Sequence, residues 1–105
     1  MEIKVFVVET EIQHNTYNKA LLFEKKIDLI RLFGGLTEVK DIKGYWIDNE
    51  TNNIETDTGK IWLIYSEKGY EKNIFDKMRK ILVEIKHITK QKVQMYTIGT
   101  EPHFI

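Results

Sequence analysis

Four carboxylates around residue 50, three histidines, a paired glycine and two tryptophans are the residues of this 105-residue sequence whose types could carry chemistry. Asp48, Glu50, Glu55 and Asp57 converge on one stretch, and two carboxylates held together can bind a cation or divide the roles of acid and base. They also flank Asn49-Glu50-Thr51-Asn52-Asn53, a polar turn cluster whose solvation explains them without a site. His14, His87 and His103 stand far apart, and none has a partner at the spacing of a metal-ligand pair, so no metal and no cofactor is expected. Gly34-Gly35 follows a helical pattern, whereas glycines that cradle phosphate precede a helix and offer its free N–H groups; the pair reads as a helix stop. With no cysteine there is no thiolate nucleophile, disulfide or zinc ribbon. Trp46 and Trp62 carry the most surface, on the order of 200 Å² each, and act either as core or as the anchor of a pocket or interface.

The elements that must position these residues follow from periodicity. Ile3 to Val8 is short, β-branched and apolar on both alternating faces, as in a central strand covered on two sides. Thr10 to Asn18 is polar and predicts a loop. Leu22-Phe23, Ile27, Ile30 and Phe33 have helical spacing, ending at Gly34-Gly35. Leu36 to Asp48 is extended, with Gly44 able to kink it, and the turn cluster leads into a return strand from Ile54 to Tyr65, where Gly59 marks a bulge. Glu67-Lys68-Gly69 closes that strand. Ile74, Met78, Ile81, Leu82, Ile85 and Ile88 then form the strongest helical stripe, with His87 in a last turn that favours an imidazole. Val93 to Ile98 is a final strand before Gly99 and Pro102.

The order βαββαβ predicts an α+β fold, a ferredoxin-like sandwich in which two helices cover one face of a four-stranded antiparallel sheet, within a single domain spanning residues 1–105. The first and third strands are then central, and two helices leave one sheet face bare. Phe6, Val8, Trp62, Ile64, Tyr96 and Ile98 are assigned to that open face, and a patch so apolar calls for a cover. The candidate binding or interface residues are therefore Phe6, Val8, Trp46, Trp62, Ile64, Tyr65 and Tyr96.

Phe33-Gly34-Gly35-Leu36-Thr37, Gly44-Tyr45-Trp46 and Gln91-Lys92-Val93 together resemble a group of small uncharacterised bacterial and phage proteins with an F-G-G-x-T helix end, a G-x-W on the next strand and a Gln-x-Val near the last. The resemblance covers roughly residues 20 to 98. It implies the same topology and a phage or mobile-element gene, and it implies no reaction.

Sixteen basic and sixteen acidic residues cancel, so no global field draws nucleic acid or anionic membrane. The distribution is uneven: residues 36–68 hold four basic and seven acidic side chains, residues 69–105 seven basic and four acidic. No apolar run approaches a membrane span and the N-terminus lacks a leader pattern, so the cytoplasm is the expected compartment. No catalytic motif is present, and the expectation is a non-catalytic adaptor, a homodimer that uses the open sheet face for self-association or to bind a small molecule or protein. Two alternatives stand beside it. One is a small dimeric α+β barrel enzyme acting on an organic substrate, with Tyr65, His14 or Tyr96 assisting proton transfer. The other is a single-stranded RNA module, in which sheet aromatics would stack bases, although nucleic acid is not the expected partner because the lysines gather on a helix.

Overall fold

The computed structural model describes residues 1–67 and 71–105, so Lys68 and Gly69 of the expected turn lie outside the described residues. Five strands and two helices follow in the order β1 (Glu2–Val8), α1 (Thr16–Phe33), β2 (Thr37–Ile47), β3 (Ile54–Tyr65), α2 (Lys72–Ile88), β4 (Met95–Ile98) and β5 (Glu101–Phe104), with one short 3-10 turn at Thr10–Ile12. The sheet is antiparallel throughout, in the order β2-β3-β1-β4-β5.

That order corrects the expected four strands to five. Pro102 argues against a strand, because proline cannot donate to a ladder, yet β5 lies at the sheet edge, where one side needs no donors. Gly99 turns the chain at φ +60, its N–H donates to the Glu2 carbonyl at 2.7 Å, and Glu101–Phe104 folds back on β4. Beyond β5, Ile105 exchanges both backbone hydrogen bonds with Gln94.

Helix α1 starts earlier than its apolar spacing indicates. The Asn15 side chain caps it by accepting from the Asn18 N–H at 3.0 Å. It ends where glycine permits a left-handed residue: Gly34 has φ +90 and donates to the Ile30 carbonyl at 2.7 Å. Phe23, part of the predicted stripe, points to solvent beneath the Lys26 ammonium. Helix α2 buries Phe75, Met78, Leu82 and Ile85. Lys25 of α1 and Glu84 of α2 form an ion pair across the two helices, and that partner raises the lysine pKa against a smaller opposing effect of burial.

The core lies between the helices and one sheet face. Ile3, Val5 and Val7 of β1, Trp62 and Ile64 of β3 and Tyr96 of β4 are all buried against Leu22 and Leu29 of α1 and the α2 stripe. Pairing makes this set coherent, since Val5 sits opposite both Trp62 and Tyr96, and Ile3 opposite Ile64. The expected register is thereby corrected. Trp62, Ile64 and Tyr96 face the helices rather than the open side, with 1% of each exposed, while Ile61 and Leu63 are half-buried on the other face with Phe6 and Val8. Among the described residues no helix is long and apolar enough to cross a membrane.

Candidate functional site

Trp62 is a core residue with a polar tip. Its ring N–H donates to Glu38 Oε2 at 2.9 Å, and the same oxygen accepts from Lys26 at 3.2 Å. Lys60 lies 3.7 Å from it and bridges to Glu9 at 3.5 Å. Burial opposes the charge on Glu38, but the Trp62 and Lys26 hydrogen bonds and the charges of Lys60 and Lys26 outweigh it, holding the carboxyl below the usual carboxylate range. This network pins β2 and β3 to α1.

Tyr96 is equally internal. Its phenolic oxygen accepts from Arg79 Nε at 3.2 Å, and His103 stacks on its ring at 5.0 Å between centroids. Ile64 packs in the core. Phe6, Val8 and Trp46 meet on the open face, where with Ile42 they surround a hollow of about 170 Å³ over Gly44 and Gly59. Gly59 is glycine by necessity, because a Cβ there would lie 1.9 Å from the Val7 carbonyl oxygen. The expected bulge lies instead in β2, where Lys40 and the left-handed Asp41, φ 58, oppose the single residue Lys60.

A larger concavity lies elsewhere, at the end of the sheet where α1 passes into β2 and β3 runs toward α2. It is a cleft of about 760 Å³, within the range of small-molecule sites. Leu32, Phe33, Leu36, Leu63, Ile64 and Ile74 supply apolar walls, and Glu2, Thr37, Tyr65, Ser66 and Glu67 supply polar groups. Phe33 is braced by an edge-on contact with Phe75 at 6.5 Å. Ser66 is held by paired backbone bonds, its N–H donating to the Met1 carbonyl at 2.8 Å and its carbonyl accepting from the Met1 ammonium at 2.9 Å. Gly34 and Gly35 form part of the wall with open space on their side-chain positions. Among the described residues the lining holds two carboxylates and no Lys, Arg or His.

Of the seven candidates read from the sequence, Tyr65 lines this cleft, and so does Ile64, a core side chain at its inner wall. His14 follows the opposite end of β1, and Tyr96 is closed off by α2, so of the three residues named for proton transfer in the enzyme alternative Tyr65 is the one that lines this cleft. Glu2, Phe33, Thr37, Ser66 and Glu67 were missed. One signal was available: the F-G-G-x-T stretch that stops α1 is also cleft wall, so a single motif serves both purposes.

The fold recurs among solved structures. The chain is similar to a phage SAM lyase in complex with S-methyl-5'-thioadenosine, at TM-score 0.67 and 16% identity over 99% of this chain and 87% of that one. A phage SAM lyase in its apo state aligns at TM-score 0.62 and 15% identity, over 99% and 86%. The divalent cation tolerance protein CutA1 from Thermus thermophilus aligns at 0.50 and 18%, over 100% and 82%. No family model and no curated protein sequence matches the chain. At such identities the likeness is one of fold. It nonetheless corrects the non-catalytic adaptor expectation, because chains that share the fold along its whole length belong to an enzyme with a small organic ligand.

Proposed function

We propose that the chain is an enzyme of small organic substrates and that the cleft between the end of α1 and the end of β3 is its active site, with an S-adenosylmethionine-type sulfonium as substrate class. The observation that carries this reading is the cleft's composition: apolar walls wide enough for a nucleoside, with the carboxylates of Glu2 and Glu67 and no basic side chain among its described lining. An adenosyl sulfonium presents a flat ring, ribose hydroxyls and a cationic sulfur. Phe33 and Leu36 suit the ring, Thr37, Tyr65 and Ser66 the hydroxyls, and the carboxylates the cation. The phage lyase holding S-methyl-5'-thioadenosine on the same fold supports the choice.

When the sulfonium C–S bond breaks, its electron pair goes to sulfur, which leaves as a neutral thioether needing no proton, and the substrate's own carboxylate oxygen bonds to the vacated carbon to close a lactone. The demand on the protein is to position the substrate and exclude water, and an apolar cleft meets it. We read the architecture as a ferredoxin-like sandwich with an added edge strand, forming one domain over residues 1–105. A phage or mobile-element gene and a cytoplasmic enzyme complete the reading, in keeping with the lyase likeness and the absence of cysteine.

Gly35 provides the test. Its side-chain position meets nothing within 4 Å and its φ is not in the left-handed region, so Gly35→Val intrudes on the cleft without straining the fold. The wild-type protein incubated with S-adenosylmethionine is expected to release S-methyl-5'-thioadenosine, detected by chromatography and mass spectrometry. Gly35→Val is expected to lower that rate at least tenfold at an unchanged melting temperature. A wild-type protein that neither binds the sulfonium by calorimetry nor yields the thioether rejects the proposal.

A further inference from the structure

Beyond its pairing with β1, which ends at Val8 opposite Gly59, the β2–β3 hairpin continues as a two-stranded arm from Ile42–Ile47 and Ile54–Thr58. Two-stranded ribbons are marginal in water, and this one is apolar on both faces. Tyr45, Ile47 and Ile54 are 69%, 57% and 71% exposed on one side, and Trp46 is 48% exposed on the other. The arm is also acidic. Residues 41–58 hold Asp41, Asp48, Glu50, Glu55 and Asp57 against Lys43 alone, a net charge of −4. None of these carboxylates is in an ion pair among the described residues.

The complementary surface is on the same chain. Residues 77–92, the outer part of α2 and its exit, hold six basic residues against Glu84, a net charge of +5, and Glu84 already pairs with Lys25. Lys77, Lys80, Lys86, Lys90 and Lys92 form no ion pair among the described residues. Val83 on α2 and Val93 just after this stretch are 39% and 52% exposed. The whole chain is neutral, so its charge is separated rather than in excess.

We propose that the arm of one molecule docks on the basic α2 surface of a second copy, head to tail. Trp46 supplies the desolvated centre of the contact and the opposed charges its rim, with Glu55 across from Trp46 on the same face of the arm, the arrangement that sets register and speeds encounter. Joining two different patches makes the contact heterologous, so copies close into a ring or propagate. The proposal is independent of what the cleft binds.

Sedimentation velocity and native mass spectrometry on the full chain test it. In about 50 mM salt the protein is expected as a multimer of its 12.5 kDa chain, and roughly 500 mM salt is expected to weaken association at least tenfold. Trp46→Ala, and the charge reversals Glu50→Lys with Glu55→Lys or Lys86→Glu with Lys90→Glu, are each expected to give folded monomers by circular dichroism. The two doubly substituted proteins each retain one native patch and one whose net charge is cancelled or nearly so, the arm falling from −4 to 0 and the helix surface from +5 to +1, so neither self-associates through this contact. Mixed in equal amounts, they are expected to form mixed dimers through the native arm of one on the native α2 surface of the other, with no further growth because the remaining arm and helix are both altered. A wild-type monomer at low salt, multimers indifferent to all three variants, or doubly substituted proteins that fail to combine on mixing would overturn it.

Discussion

A single carboxylate, Glu38, shows how one residue sets a local condition for stability. Its charge is favoured in the folded state by the Trp62 N–H, by Lys26 and by Lys60, which together outweigh its burial. A carboxyl with a depressed folded pKa contributes stability that is fully present above its unfolded pKa and is lost as pH falls through the folded value. Glu38→Gln is therefore expected to lower the melting temperature at pH 7, and the gap to wild type should narrow steadily below the ordinary carboxylate range. Trp62→Phe keeps most of the packing but leaves a buried carboxylate one donor short, at a cost of about 2 kcal/mol. Melting curves from pH 2 to 8 check both; a Glu38→Gln gap that does not change with pH would show that the carboxylate is not held in this way.

At the scale of elements, the decisive contact is the close approach of β1 to β3. The Val8 and Gly59 pair closes the three-strand part of the sheet, and Val7 places its carbonyl oxygen where a side chain at 59 would start. Gly59→Ala forces the strands apart and is expected to cost upward of about 3 kcal/mol by denaturant titration, far more than an alanine at Gly44, which has open space around it. Equal losses at both positions would mean that β1 and β3 do not pack as described. The same crowding empties the open face over residue 59, and the hollow beneath Phe6, Val8 and Trp46 is its by-product.

Over the whole molecule, stability should be graded from the middle of the sheet outward. β1 has partners on both sides and buries Ile3, Val5 and Val7 completely or nearly so. The arm beyond Gly59 has one partner strand among the described residues and is tied at its base to the Thr10–Ile12 turn through Asp57 and Thr58. Native-state hydrogen exchange is expected to show the amides of Val5 and its neighbours opening with global unfolding, and those of Tyr45 to Thr56 opening many times faster by local fraying. Arm amides that slow with rising protein concentration would report the head-to-tail contact; arm amides as slow as those of β1 in dilute protein would contradict the gradient.

What was legible in the sequence is what depends on near neighbours. The α2 stripe, the stop at Gly34, the bounds of β3 and the polar turn between the hairpin strands all follow from spacing and from backbone freedom within a few residues. The side of the sheet that Trp62 faces was not legible, because Ile61 to Tyr65 is apolar at every position and a one-residue change of register exchanges the faces without disturbing the pattern. Only the pairing of Trp62 with Val5 and the donor it offers to Glu38 settle the matter. β5 was hidden for a related reason: Pro102 is a fair signal against a strand, and only its place at an edge makes it admissible. The cleft draws Glu2, Phe33, Thr37, Tyr65 and Glu67 from distant parts of the chain. No local spacing can encode that meeting, since it exists only once antiparallel pairing has brought the start of β1, the start of β2 and the end of β3 to one end of the sheet.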